Sequence, residues 1–231
     1  MKKNFGEQVL KFNKALSLDI KLPKGISVMN SFRENLEIRL ISTEFYRKYY
    51  SDNYQRRIIL GINPGRLGAG ATGIPFTDTK RLLSHCGIST KSVQTHEPSS
   101  VLVYDVINAF GGVEAFYNQF YITSICPLGF VKNVAPNKEI NYNYYDDAAL
   151  EKSIRPFVIK SLEQQLKFGV DREIAFCFGT GKNHKFIAGI NKEFGFFKKL
   201  FPLEHPRYIM QYKSKTKESY ITKYLEAFTM I

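Results

Sequence analysis

Cysteine is scarce in this 231-residue chain: Cys86, Cys126 and Cys177 are its only three. They are odd in number, widely spaced and never arranged as C-x-x-C. That excludes a disulfide framework and a zinc ribbon, and the thiols are expected to be reduced and packed. The histidines, His85, His96, His184 and His205, include no H-x-x-x-H pair, and no metal site is expected. No apolar run approaches the length of a membrane span. Met1-Lys2-Lys3 is basic, but residues 4–16 mix polar and apolar side chains and lack the continuous apolar stretch of a secretory signal, so the expected location is the cytoplasm. Acidic residues are also in deficit: 21 Asp and Glu face 33 Lys and Arg, a formal net charge of +12. Such an excess attracts polyanions, which makes nucleic acid the leading candidate partner. A surface of solvated lysines is the alternative that charge alone leaves open.

What is present is a core-forming chain, 44% hydrophobic, with no internal repeat, low-complexity tract or long linker. One domain over residues 1–231 is expected, with the first fifty residues forming helices packed on it. Phe5, Val9, Leu10, Phe12 and Leu16 recur at helical spacing, and a second helix is expected from about Asn30 to Tyr50 with Leu36, Leu40, Ile41, Phe45 and Tyr49 as its stripe. Leu22-Pro23-Lys24-Gly25 reads as a turn between them.

Four short apolar runs follow, at Arg57–Ile62, Phe120–Ile125, Glu173–Phe178 and Phe196–Leu203. Continuous rather than alternating hydrophobicity suits strands buried on both faces. A helix is expected between the second and third, from the Tyr145-Asp146-Asp147 carboxylates past Pro156, which either kinks or divides it, to about Phe168. Strand and helix in alternation imply a three-layer α/β/α sandwich around a mainly parallel, four-stranded sheet. A last helix is expected from Ser214 or Thr216, burying Tyr220, Ile221, Tyr224, Leu225 and Phe228. Val131–Tyr144, rich in Asn and Tyr, reads as an ordered surface loop. Ligands of such sheets lie at the carboxyl ends of the strands, so Asn63, Ser124, Gly179 and His205 are expected at one edge.

The stretch Gly61-Ile62-Asn63-Pro64-Gly65-Arg66, running through a glycine-rich segment to Thr72-Gly73-Ile74-Pro75-Phe76, resembles the water-activating motif of the single-strand-selective monofunctional uracil-DNA glycosylases. There G-M-N-P-G-P leads to T-G-V-P-F. Cys126-Pro127-Leu128 resembles that family's N-x-C-P-L, and His205-Pro206 its H-P-S-P. Three landmarks in order over residues 57–210 are more specific than any one of them.

The resemblance implies a DNA glycosylase of base excision repair that needs no cofactor, works as a monomer, and acts on damaged single- or double-stranded DNA. It casts Asn63 as the holder of the attacking water and His205 as a hydrogen-bond donor to the leaving base. Phe76, Ser124, Gly65 and Ile62 become the base pocket. Arg66, Lys182, Arg207 and Tyr208 become candidate DNA contacts, Arg207 and Tyr208 as wedge or phosphate ligand, although Tyr208–Tyr212 also reads as a short extra strand. Two departures bear on this. Ser124 stands where the family has an asparagine that pairs with uracil, and a hydroxyl cannot present the two-point pattern of an amide, so the substrate is open among uracil, an oxidised pyrimidine and a deaminated purine. Arg207 stands where the family has serine. A non-catalytic nucleic-acid-binding protein on the same fold is the rival reading.

Other motifs carry less. Gly68-Ala69-Gly70-Ala71-Thr72-Gly73 fits G-x-G-x-x-G but lies well past the strand and runs into Pro75, unlike a dinucleotide loop. Gly179-Thr180-Gly181-Lys182-Asn183 lacks the spacing of a triphosphate loop and reads as a helix N-terminus facing DNA phosphate, or as a plain turn. His85, His96 and His184 read as surface or satisfied core residues. Cys126 has no histidine nearby in sequence and reads as packing.

Overall fold

The computed structural model describes residues 3–91, 94–136 and 138–230. In chain order the first elements are α1 (Phe5–Ala15), β1 (Ile26–Met29), α2 (Ser31–Glu34), α3 (Leu36–Tyr49) and β2 (Arg56–Gly61). Four helices follow, α4 (Ala69–Thr72), α5 (Thr79–Cys86), α6 (Pro98–Ala109) and α7 (Val113–Gln119), and then strands β3 (Phe120–Ser124), β4 (Gly129–Ala135) and β5 (Lys138–Tyr142). The rest is α8 (Ala148–Leu166), β6 (Val170–Phe178), α9 (Lys182–Phe194), β7 (Lys199–Leu203), α10 (Pro206–Tyr212) and α11 (Lys217–Thr229), with 3-10 turns at Tyr144–Asp146 and Ser214–Thr216.

The four expected strands are β2, β3, β6 and β7. They pair entirely in parallel in the order β3-β2-β6-β7. Successive residues of β3 show the two helical layers. Phe120 packs on Phe116 and Phe228, of α7 and α11, while Tyr121 packs on Phe5 of α1 and donates its hydroxyl to Gln165 Oε1 of α8 at 3.1 Å. The α/β/α arrangement read from the sequence is the one observed. Gly61 stands beside Ser124, Leu60 beside Cys177 and Phe178 beside Leu203, so all four carboxyl ends finish at one edge. From β2 the chain crosses toward β3, and from β6 toward β7 on the opposite side. The ends of β2 and β6 therefore flank the topological switch point, where ligands of open sheets bind.

The amino-terminal helices are fastened locally. A capping box between Asn4 and Glu7 starts α1, and Asn35 Oδ1 accepts the Glu37 and Ile38 N–H groups to start α3. Arg56 is fully buried: its Nε donates to Tyr117 O at 2.7 Å, its other nitrogens grip Asp52, and its guanidinium lies 4.9 Å from the Phe5 ring centre and 4.7 Å from that of Tyr50.

Several details differ from expectation. Val131–Tyr144 is mostly a hairpin, not a loop: β4 and β5 pair antiparallel and β1 joins them in a second, three-stranded sheet. From Lys132 to Asn141 its described side chains are exposed on both faces, which leaves no period-two pattern to read. Leu36 and Leu40 are both 62% exposed, and Ile38 and Tyr46 take their places in the buried stripe of α3. Tyr208–Tyr212 belongs to α10 rather than to a strand. Pro156 sits inside α8 without dividing it, and Thr216 occupies the N-cap of α11 without a side-chain cap bond.

Candidate active site

The loop leaving β2 is stitched to the loop leaving β3: Ile125 N–H donates to Gly61 O at 2.9 Å and Cys126 N–H to Ile62 O at 3.1 Å. The N-P-G and C-P-L segments are thus one folded unit. Asn63 is held at both ends of its amide, Nδ2 donating to Tyr142 O at 3.2 Å and to Pro64 O at 3.4 Å, and Oδ1 accepting Tyr144 N–H at 3.3 Å. The unexpected hairpin therefore orients the key amide. It also leaves Oδ1 a second lone pair free for a further ligand.

Thr72 shapes the second half of the motif: its hydroxyl donates to Thr77 O at 2.7 Å and accepts Ile74 N–H at 3.1 Å. The bend forces Phe76 to φ +53°, the one left-handed non-glycine conformation among the described residues. Its ring lies against the end of β2, where a Cβ on Gly61 would come within 2.8 Å of Phe76 Cε2. Edge-to-face packing on Phe178, at 5.2 Å and 85°, completes the seat. Two residues on, buried Asp78 caps α5 through Arg81 N–H at 2.8 Å and accepts Glu97 N–H at 2.7 Å.

His205 follows β7 and caps α10, with Nδ1 accepting Arg207 N–H at 3.1 Å. Burial, assisted by the Arg207 charge, pushes its pKa down to about 4. The ring is neutral at pH 7, and because Nδ1 is an acceptor the proton sits on Nε2. Its centroid lies 5.6 Å from that of Phe76.

A cleft of about 570 Å³ opens at this edge and takes in Ile62, Asn63, Gly65, Phe76, Ser124 and His205. Lys182, Arg207 and Tyr208 also line it, whereas Arg66 does not: it borders grooves outside the cleft, its N–H bonded to Asn141 Oδ1 at 3.0 Å. Of the strand-terminal set, Gly179 lines the cleft as well. Tyr145, Tyr212 and Glu97 are among the lining residues to which the sequence assigned no role in the site. Tyr145 lies beneath Lys182 Nζ at 5.9 Å, and Tyr212 pairs with Tyr208 at 5.5 Å on α10. Glu97, half-buried before α6, is pushed up to about 7, mainly by burial, with the Ser100 hydrogen bond opposing. The only signal for it in the sequence is a carboxylate before proline, which any helix start shares.

The three cysteines are buried and unpaired, and burial pushes the Cys126 and Cys177 thiols up to about 12, unlike a nucleophile. Among the described residues no group of three or more His, Cys, Asp or Glu side chains could hold a metal, and no helix is long and apolar enough to cross a membrane.

Comparison with known proteins follows the same lines. The family model of the uracil DNA glycosylase superfamily matches residues 47–229. The crystal structure of wild-type SMUG2 from Pedobacter heparinus is similar to this chain at a TM-score of 0.96 and 53% identity, over 98% of this chain and 97% of that one. No curated protein matches it.

Proposed function

Because the chain belongs to the uracil DNA glycosylase superfamily, we propose that it is a monofunctional DNA glycosylase of base excision repair, a hydrolase that works as a monomeric single domain and uses Asn63 and His205 on a base turned out of DNA. One observation carries the assignment of roles: Asn63, Phe76 and a neutral His205 share a single cleft at the carboxyl ends of the strands. The relation to SMUG2 over nearly the whole of both chains supports uracil as a substrate class.

Cleavage of the N-glycosidic bond builds positive charge on the sugar and negative charge on the departing base. Water adds to C1′ of the sugar while the base leaves with the bonding pair, and the proton that the water sheds is taken up, through solvent, by the released base anion. The free lone pair of Asn63 Oδ1 orients that water. An amide is a very weak base, which suffices when bond breaking runs ahead of attack. His205 Nε2–H donates to a carbonyl oxygen of the base as charge collects there; the Nδ1 bond to Arg207 N–H keeps the donor in place. Phe76 stacks on the base. Reaching this cleft requires extrusion of the nucleotide at a cost of a few kcal/mol, which Lys182, Arg207 and Tyr208 at the mouth help to offset by holding the strand.

The test uses end-labelled oligonucleotides carrying uracil or other lesions, with alkali to cut abasic sites. The wild-type protein leaves the strand intact before alkali and yields abasic product; Asn63→Ala and His205→Ala each slow single-turnover excision by at least about 100-fold. Salt-sensitive binding with no abasic product from any lesion would overturn the enzyme reading. Excision untouched by both substitutions would overturn the residue roles.

A further inference from the structure

Glu97 reaches the cleft from a rigid mount. Its N–H donates to Asp78 Oδ2, its Oε2 accepts the Ser100 hydroxyl at 3.1 Å, and the same hydroxyl accepts Asp78 N–H at 3.1 Å. Asp78 lies two residues beyond Phe76, so the carboxyl and the stacking ring share one support. Oε1 takes no hydrogen bond among the described residues, and it would lie 3.3 Å from a Cβ on Gly65. On Gly68 a Cβ would overlap Oε2. The glycines of the motif loop thus leave a space that this carboxyl occupies.

We propose that Glu97 is a specificity-determining residue of the excision reaction, its free oxygen giving an O–H hydrogen bond to an acceptor atom on the edge of the extruded base that lies along the Gly65 loop. This rests on the reading of the cleft as a base pocket. Ser124 offers the base a single hydroxyl, whereas a protonated carboxyl presents a donor and an acceptor side by side, the pattern of a carboxamide. Burial favours that form, while the charged groups facing it pull in both directions. Asp78 faces it from the N-cap of α5, with Arg81 and His96 against the same Oδ2 that accepts the Glu97 N–H, and Arg207 faces it from α10 beside neutral His205. The motif loop brings glycine main chain and β5 brings the uncharged Asn141 amide. Burial raises Glu97 to about 7, Ser100 and Arg207 draw it down and Asp78 pushes it up. A DNA phosphate meeting Arg207 cancels one of the lowering influences, so the loaded site holds the proton more firmly. An ionised carboxylate, in contrast, would repel a base that departs as an anion.

Single-turnover excision by wild type, Glu97→Gln and Glu97→Ala, on either side of about pH 7 and over bases differing in edge pattern, tests this. Wild-type excision falls above the Glu97 pKa, approaching a tenfold loss per pH unit. Glu97→Gln, a weaker donor that does not titrate, is a few-fold slower in acid and lacks the alkaline fall; Glu97→Ala is slower by roughly 10- to 100-fold and discriminates less among bases. A Glu97→Gln protein that is folded by circular dichroism yet keeps the alkaline fall, or is inactive at every pH, overturns the proposal, as does an unchanged ranking of bases by Glu97→Ala. Should both variants fail to fold, a wild-type profile without an alkaline fall overturns it. Failure of the wild type to excise any base would instead remove the glycosylase reading.

Discussion

At the scale of single residues, the site depends on side chains held in costly states. Phe76 keeps a left-handed backbone, and Gly61 is the position that admits its ring. Gly61→Ala should displace the ring, since the added Cβ also lies 3.3 Å from Thr123 O and has no direction of escape. We expect a loss of about 1–3 kcal/mol in urea denaturation, with single-turnover excision slowed more than tenfold. Unchanged excision would mean that the ring position is immaterial.

His205 and Glu97 bias stability in opposite directions. The histidine, ordinarily at 6.5, is lowered to about 4, so between these values the unfolded chain takes up a proton that the folded chain refuses. Stability contributed by neutral His205 is present above 6.5 and is lost as pH falls toward 4. Glu97, raised from 4.5 to about 7, works the other way: its contribution is present below 4.5 and is lost as pH rises through 7. The two windows overlap between 4.5 and 6.5 with opposite slopes, so urea midpoints measured across them should fall more steeply with rising pH in His205→Gln than in wild type, and rise with pH in Glu97→Gln.

At the scale of elements, β2, β3 and β6 were legible because their apolar stretches are buried on both faces and each ends in a loop of small or turn-forming residues, whereas the edge strand β7 is buried only at Leu203 and was marked by its apolar run alone. The motif loop was legible because its residue types are tied to its shape: Thr72 staples it and Gly73 takes φ +72°. Other elements carried no such mark. Helix α6 buries Ser99, Ser100, Leu102, Val103, Tyr104, Val106 and Ile107, which span most of its circumference, so no stripe announces it. The outer part of the β4–β5 hairpin is exposed, and only the structure shows that its Tyr142 carbonyl anchors Asn63. Arg56 stands just before an apolar run and carried no signal of its own, yet it joins α1, α7 and the segment after α3 by ring contacts and hydrogen bonds. Arg56→Met should strand the Tyr117 carbonyl and the Asp52 carboxylate, at a cost of about 3–5 kcal/mol in urea denaturation. A cost below about 1 kcal/mol would show that the amino-terminal helices dock without it.

At the scale of the molecule, the +12 charge becomes informative only once the cleft is located. Each phosphate neutralised steepens the fall of log K with log salt by about 0.9 on duplex and about 0.7 on single strands, whichever lysines or arginines are involved. If the strand lies across the cleft mouth, Lys182→Ala and Arg207→Ala should each reduce that slope by about 1. Lys11→Ala, on the exposed side of α1 and outside the cleft, should leave it unchanged. If Arg207 meets the strand it also links binding to chemistry, because its charge is one of the influences that lower Glu97. Removing it should carry the alkaline fall of excision to higher pH, whereas Lys182→Ala, which also weakens binding, should leave the fall where it is. Equal slopes for all three variants would mean that DNA is held by the diffuse positive field. A fall that stays put in Arg207→Ala would mean that the two functions of the cleft mouth are electrostatically independent.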